Sequence, residues 1–156
     1  MVLQINDWVF DIDSKLTGEY SSHVSLEHCT CDYCENYYRA IQLTLPNLKA
    51  FLAQFSLEID GPVEMYPIES TLYLAGYRVT GKILHSGIAP MMVDGVPVTA
   101  EIYDDNHFLL EIGEMELPWL LPVDPDEVIS PANEPEFLEN MYRKLARRYG
   151  GSYFPS

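Results

Sequence analysis

Basic residues are scarce in this chain: nine lysines and arginines stand against 24 aspartates and glutamates, for a net charge of −15. A field of that sign repels DNA, RNA and anionic lipid and speeds encounters with cations or with a basic protein. Nucleic-acid and membrane-surface partners are therefore excluded. The imbalance is itself uneven, because three acids and four bases fall in residues 134–156, leaving −16 on residues 1–133 and +1 on the rest. Cysteine is scarce as well. The three that exist lie within six residues, which excludes the spread-out disulfide framework of a small secreted domain. No apolar run approaches the ~18 residues of a membrane helix, and the start, Met1 to Trp8, lacks the basic residues and long apolar stretch of a secretory signal. A cytoplasmic protein is expected. Also missing are a phosphate-binding glycine loop, a nucleophile elbow and a His-Glu-x-x-His zinc motif. Asp11-Ile12-Asp13 opens like a calcium loop, but Leu16 stands where that loop needs glycine.

What is present is an ordinary globular composition. The chain has 156 residues, 47% of them hydrophobic and 21% charged, a size and balance that suit one domain with one core over residues 1–156. Trp8, Phe10 and Ile12 alternate with Val9, Asp11 and Asp13, the period of a half-buried strand. A second strand is expected from Gly18 to Leu26, joined to the first through Ser14 to Thr17. The pattern changes at Thr30. Cys31, Cys34, Tyr38, Ile41 and Leu45 recur at steps of three and four, the stripe of an amphipathic helix that Thr30 would cap. Pro46 fits the start of a second helical piece whose apolar face is Leu48, Phe51, Leu52 and Phe55.

After the break at Asp60-Gly61-Pro62, a long strand is predicted from about Thr71 to Leu84. Asp94-Gly95 marks a two-residue hairpin, because that dipeptide tolerates positive φ. The strand Val96 to Tyr103 then turns through Asp104-Asp105-Asn106 into His107 to Leu117, where a shift of apolar parity across Gly113 predicts a bulge. The proline- and acid-rich stretch from Pro118 to Pro135 reads as a surface linker. The last element is a helix opened by the capping pair Asn133 and Glu136 and stopped at Gly150-Gly151. Its bases Lys144, Arg147 and Arg148 suit the negative end of its dipole. The fold class expected is thus α+β: a mainly antiparallel sheet of five or six strands packed against the residue 31–55 helical segment and a C-terminal helix.

Chemistry concentrates in His28-Cys29-x-Cys31-x-x-Cys34. Zinc prefers thiolate and imidazole, and a Cys-x-x-Cys turn at a helix start brings two sulfurs near one ion while exposed amides favour the thiolates. Cys31 and Cys34 meet that condition, and His28 and Cys29 are further candidate ligands. Four ligands from seven residues make a crowded shell, so a closed site draws on a group from elsewhere, with His23, His85 and His107 as candidates. Two other readings stand beside the metal. Buried cysteine packs as a small hydrophobe, and a Cys-x-x-Cys pair at a helix start serves thiol redox chemistry. Paired acids such as Asp104 and Asp105, or Glu111, Glu114 and Glu116, offer a further cation site or an acid and base, and random adjacency explains them equally well. Tyr33, Tyr37 and Tyr38, among eleven tyrosines, line either the core or a binding surface.

The block from His28 to Ala40, with its Cys-x-Cys-x-x-Cys-x-Asn-Tyr pattern, resembles a motif in small bacterial proteins of unassigned activity. That resemblance implies a bacterial cytosolic source and a block kept for more than packing. The reading that follows is an acidic, non-catalytic binding protein, with zinc as the cofactor to test and a basic protein as the partner. The alternative is a small metal- or thiol-dependent enzyme centred on Cys31 and Cys34.

Overall fold

The computed structural model describes residues 1–69 and 71–125. The expected helix from Asn133 to Tyr149 lies outside them. Among the described residues, seven strands and three helices form an α+β fold: β1 Val2–Ile5, β2 Trp8–Ile12, α1 Ser14–Leu26, α2 Asp32–Thr44, α3 Leu48–Ala53, β3 Glu64–Glu69, β4 Leu72–His85, β5 Met91–Val93, β6 Val96–Asp104 and β7 His107–Glu116. Every pairing is antiparallel. The strand order is β1-β2-β4-β7-β6-β5, with β3 also on β4.

Three connections follow from local chemistry. Asp94 and Gly95 both hold positive φ, 50° and 81°, as the β5–β6 turn requires. The Asp104 carboxylate accepts from the Asn106 amide at 2.8 Å and closes the β6–β7 turn. The predicted bulge is at Gly113. Tyr73 faces Met115 and Leu74 faces Gly113, so Glu114 is the extra residue on β7.

Strand β4 is the spine. Its first half pairs with β3 and its last residues, from Gly81 on, pair with β2. Gly81 makes that exchange of partners possible: a Cβ there would stand 2.1 Å from the Asp11 carbonyl oxygen, and its φ is +154°. Strand β3, which the sequence reading missed, carries Pro67 and lies at an edge, where a missing N–H donor is tolerated.

Ser14–Leu26 is one helix, in place of the expected turn from Ser14 to Thr17 and strand from Gly18 to Leu26. The Asp13 carboxylate caps it by accepting from the Leu16 amide at 3.0 Å. Alternation misled because the inward face of α1 is polar. Its buried residues are Thr17 and Ser21, four apart, while Leu16 and Leu26 are exposed. Thr17 Oγ1 accepts from the Thr80 amide at 3.1 Å and Ser21 Oγ accepts from the Glu58 amide at 2.8 Å. Small side chains let α1 come close, so hydrogen bonds take the place of an apolar stripe. A Cβ on Gly61 would lie 2.9 Å from the Ser21 carbonyl oxygen. Tyr20 of α1 carries the Arg78 guanidinium 3.6 Å above its ring centre.

The core fills the space between one sheet face and α2–α3. Phe10, Tyr77, Phe108 and Leu110 from the strands meet Tyr37, Ile41, Leu48, Leu52 and Phe55, with Phe10 stacked on Phe108 at 5.1 Å. Within α2 the buried residues are Cys34, Asn36, Tyr37, Ala40 and Ile41, so Tyr37 takes the central place expected of Tyr38, which is half-buried. Tyr37 donates to the Tyr77 hydroxyl at 2.6 Å, because the Tyr77 proton is committed to the Ile59 carbonyl, also at 2.6 Å. Burial raises the pKa of both phenols, so both stay protonated.

Candidate metal and thiol site

The site grows from the junction of α1 and α2. Helix α1 ends at Leu26 and α2 begins at Asp32, so His28, Cys29 and Thr30 lie on an irregular connection. The residue capping α2 is Cys31, with extended backbone (φ −62°, ψ 158°), rather than the expected Thr30. One turn later Cys34 enters the buried arc at 8% exposure. Cys29 is exposed and Cys31 half-exposed.

The connection folds these three side chains together. Their sulfurs all lie within 4.8 Å of one another, and the Cys31 amide points at Cys29 Sγ from 3.5 Å. A tetrahedral thiolate–zinc centre has bonds of about 2.3 Å, which places its sulfurs about 3.8 Å apart. The observed triangle closes on such an ion with movements of about 1 Å, within the range of side-chain rotation.

The three thiols are electrostatically unequal. The Cys31 pKa falls to about 6, chiefly because the Cys34 thiol donates to it, with the amide groups at the start of α2 adding to the effect. The Cys34 pKa moves upward, since ionising beside Cys31 and inside the protein is doubly unfavourable. The shifts divide the pair's charge unequally, toward a thiolate at Cys31 and a thiol at Cys34. Burial, with the Asn36 hydrogen bond opposing and Tyr33 and the cysteines adding, pushes Tyr73 up to about 12.

His28 stands outside the sulfur triangle. Its Nδ1 lies 2.8 Å from the Ser25 carbonyl oxygen, its Nε2 is 3.8 Å from Glu35, and its ring packs on Tyr38 with centres 4.4 Å apart. The remote histidines are engaged elsewhere. His23 faces Glu27 at 3.4 Å, His85 Nδ1 meets the Asp7 carbonyl at 2.7 Å, and His107 Nδ1 meets Asp104 at 2.8 Å. Among the described residues the cysteines form the one group of three or more such ligands that converges, so the acidic pairs build no comparable cage there.

Asn36 is the residue that the sequence reading passed over. Fully buried two positions after Cys34, it donates to the Pro118 carbonyl at 3.0 Å and to the Tyr73 hydroxyl at 3.3 Å, and it accepts from the Leu120 amide at 2.7 Å. Tyr33 adds a bond to the Pro125 carbonyl at 2.9 Å and an edge-on contact with Trp119. Pro118 to Pro125, the described part of the surface linker expected from Pro118 to Pro135, is thus tied across the first turns of α2. A polar residue inside the buried arc of a helix was the available signal, because such a residue demands partners.

Among the described residues no helix is long and apolar enough to cross a membrane. Comparisons with protein-family models, with curated proteins and with solved structures find no match to this chain.

Proposed function

We propose that this protein is an acidic, non-catalytic binding protein of the bacterial cytoplasm in which Cys29, Cys31 and Cys34 hold a zinc ion that fixes the α1–α2 connection. The observation that carries the reading is the convergence of three sulfurs within 4.8 Å on a stretch with no regular structure of its own. A bare loop gains little from gathering three thiols, whereas a thiophilic cation repays the ordering by bonding to all of them. Cys31 already favours its thiolate, the form a metal takes up. The net charge of −15 supports a basic protein as the partner, met through long-range attraction.

Metal analysis of protein purified under reducing conditions tests the first part. About one equivalent of zinc is expected, falling below ~0.2 in Cys31→Ser and Cys34→Ser. Cobalt in place of zinc should show thiolate-to-metal charge-transfer absorption. Metal below ~0.2 equivalents in the parent protein, even after zinc is supplied, refutes the reading. For the partner, capture at low and high salt is decisive: a basic protein released by salt supports steering, and no partner under either condition argues against it.

A second reading has its own observation. Three converging protein ligands leave a tetrahedral ion one open position, the arrangement of catalytic rather than structural zinc. On that reading the protein is a small metal-dependent enzyme, and zinc-dependent hydrolysis of activated esters, lost in Cys31→Ser, is its minimal sign.

A further inference from the structure

The same three cysteines have chemistry of their own when no cation joins them, and their places in the fold differ in a way that matters for it. Cys31 is the last residue before α2, half-exposed, and Cys34 sits three residues on in the first helical turn, buried. A spacing of three at a helix start puts Cβ atoms about 5–6 Å apart on one side, within reach of a disulfide after modest adjustment. The sulfurs are already within 4.8 Å. An outside disulfide can reach Cys31 but not Cys34, whereas Cys34 can reach Cys31 from within. Cys29, exposed on the irregular connection, is the third thiol and lies off the helix.

We infer that the metal-free protein exchanges with low-molecular-weight disulfides, glutathione disulfide being the probe, with Cys31 as the attacking thiol and Cys34 as the resolving thiol. In the first step the Cys31 thiolate attacks one sulfur of glutathione disulfide. The Cys31–glutathione bond forms, the bond between the two glutathione sulfurs breaks, and one glutathione thiolate leaves. In the second, Cys34 gives up its proton to solvent and attacks Cys31 Sγ, closing the Cys31–Cys34 disulfide and expelling the second glutathione. Two electrons pass from the cysteine pair to glutathione disulfide, which is reduced to two thiols. The inference stands independently of the zinc reading. A cation on the sulfurs would occupy the electron pairs that attack, and oxidation would remove two of its three ligands.

Peptide mapping of reduced, metal-free protein after exposure to glutathione disulfide tests this without any variant. The expected product is a Cys31–Cys34 disulfide with no retained glutathione and with Cys29 still open to alkylation. In a Cys29→Ser, Cys34→Ser double variant, one glutathione should remain on Cys31. Cys31→Ser should consume glutathione disulfide at least about tenfold more slowly. Glutathione accumulating on Cys29 of the parent protein, with Cys34 left as a free thiol, overturns the inference. The two proposals fail separately. One bound zinc together with no Cys31–Cys34 disulfide in the metal-free protein removes exchange and leaves the metal site. A Cys31–Cys34 disulfide, formed at the same rate with and without added zinc in protein that holds none, removes the metal site and leaves exchange.

Discussion

Replacing Asn36 by alanine tests how the α2 start, and with it the cysteine cluster, is held in the fold. The amide of Asn36 makes three hydrogen bonds, two of them to backbone groups of residues 118 and 120, and the residue is fully buried. A bond of this kind contributes about 1 kcal/mol net, and a buried partner left without one costs about 1–3 kcal/mol. The Tyr73 hydroxyl keeps a second partner in the Tyr33 carbonyl at 3.4 Å, so the loss falls mainly on Pro118 and Leu120. Both bonds are only part-buried, which admits some water and argues for the lower end per group. The sum is about 3 kcal/mol, or a drop in Tm of about 6–12 °C for a domain of this size. Urea unfolding followed by tryptophan fluorescence measures it, and Trp119, edge-on to Tyr33, should also shift to a more exposed emission in the folded variant. Because Asn36 is not one of the converging ligands, zinc stoichiometry should be unchanged. A loss under ~0.5 kcal/mol, the range of an ordinary surface substitution, would refute the claim that this side chain anchors the segment.

Gly81→Ala should destabilise by about 3 kcal/mol or more, read by the same unfolding curves, because the new Cβ overlaps the Asp11 carbonyl and no side-chain motion relieves a backbone clash; stability within ~0.5 kcal/mol of the parent would show that β2 can shift. Ser21→Val should cost about 1–3 kcal/mol by stranding the Glu58 amide at the close contact of α1, although it adds apolar surface to a helix. Asp94→Ala removes two bonds to Asn47 at the start of α3, of 2.9 and 2.7 Å, and puts alanine at φ 50°, for an expected loss of about 1–2 kcal/mol. In metal-free protein the alkylation rate of Cys31 should be full above its pKa and fall as pH drops through about 6, since only the thiolate attacks; a midpoint near the ordinary ~8.5 would remove the charge-sharing pair.

Much of the sheet was legible because its signals are local. The period of two in Trp8 to Ile12 and along β4, the dipeptide Asp94-Gly95 and the parity shift at Gly113 each act within a few residues, through alternation or through φ. The cysteine spacing likewise placed Cys31 and Cys34 at a helix start without help from the rest of the chain. What failed depended on distant partners. Helix α1 hides its inward face behind Thr17 and Ser21, whose worth lies in the Thr80 and Glu58 amides, far along the chain. Strand β3 exists because β4 offers it an edge.

The sequence by itself determined the sign of the surface charge, the α+β class and the confinement of all thiols to one short block. Only the tertiary structure decided that Cys29 turns toward the other two sulfurs while His28 turns away to Ser25 and Tyr38, and that Cys34 is buried while Cys31 is reachable. An irregular connection carries no periodicity to aim its side chains. Its course is settled by where two packed helices leave its ends.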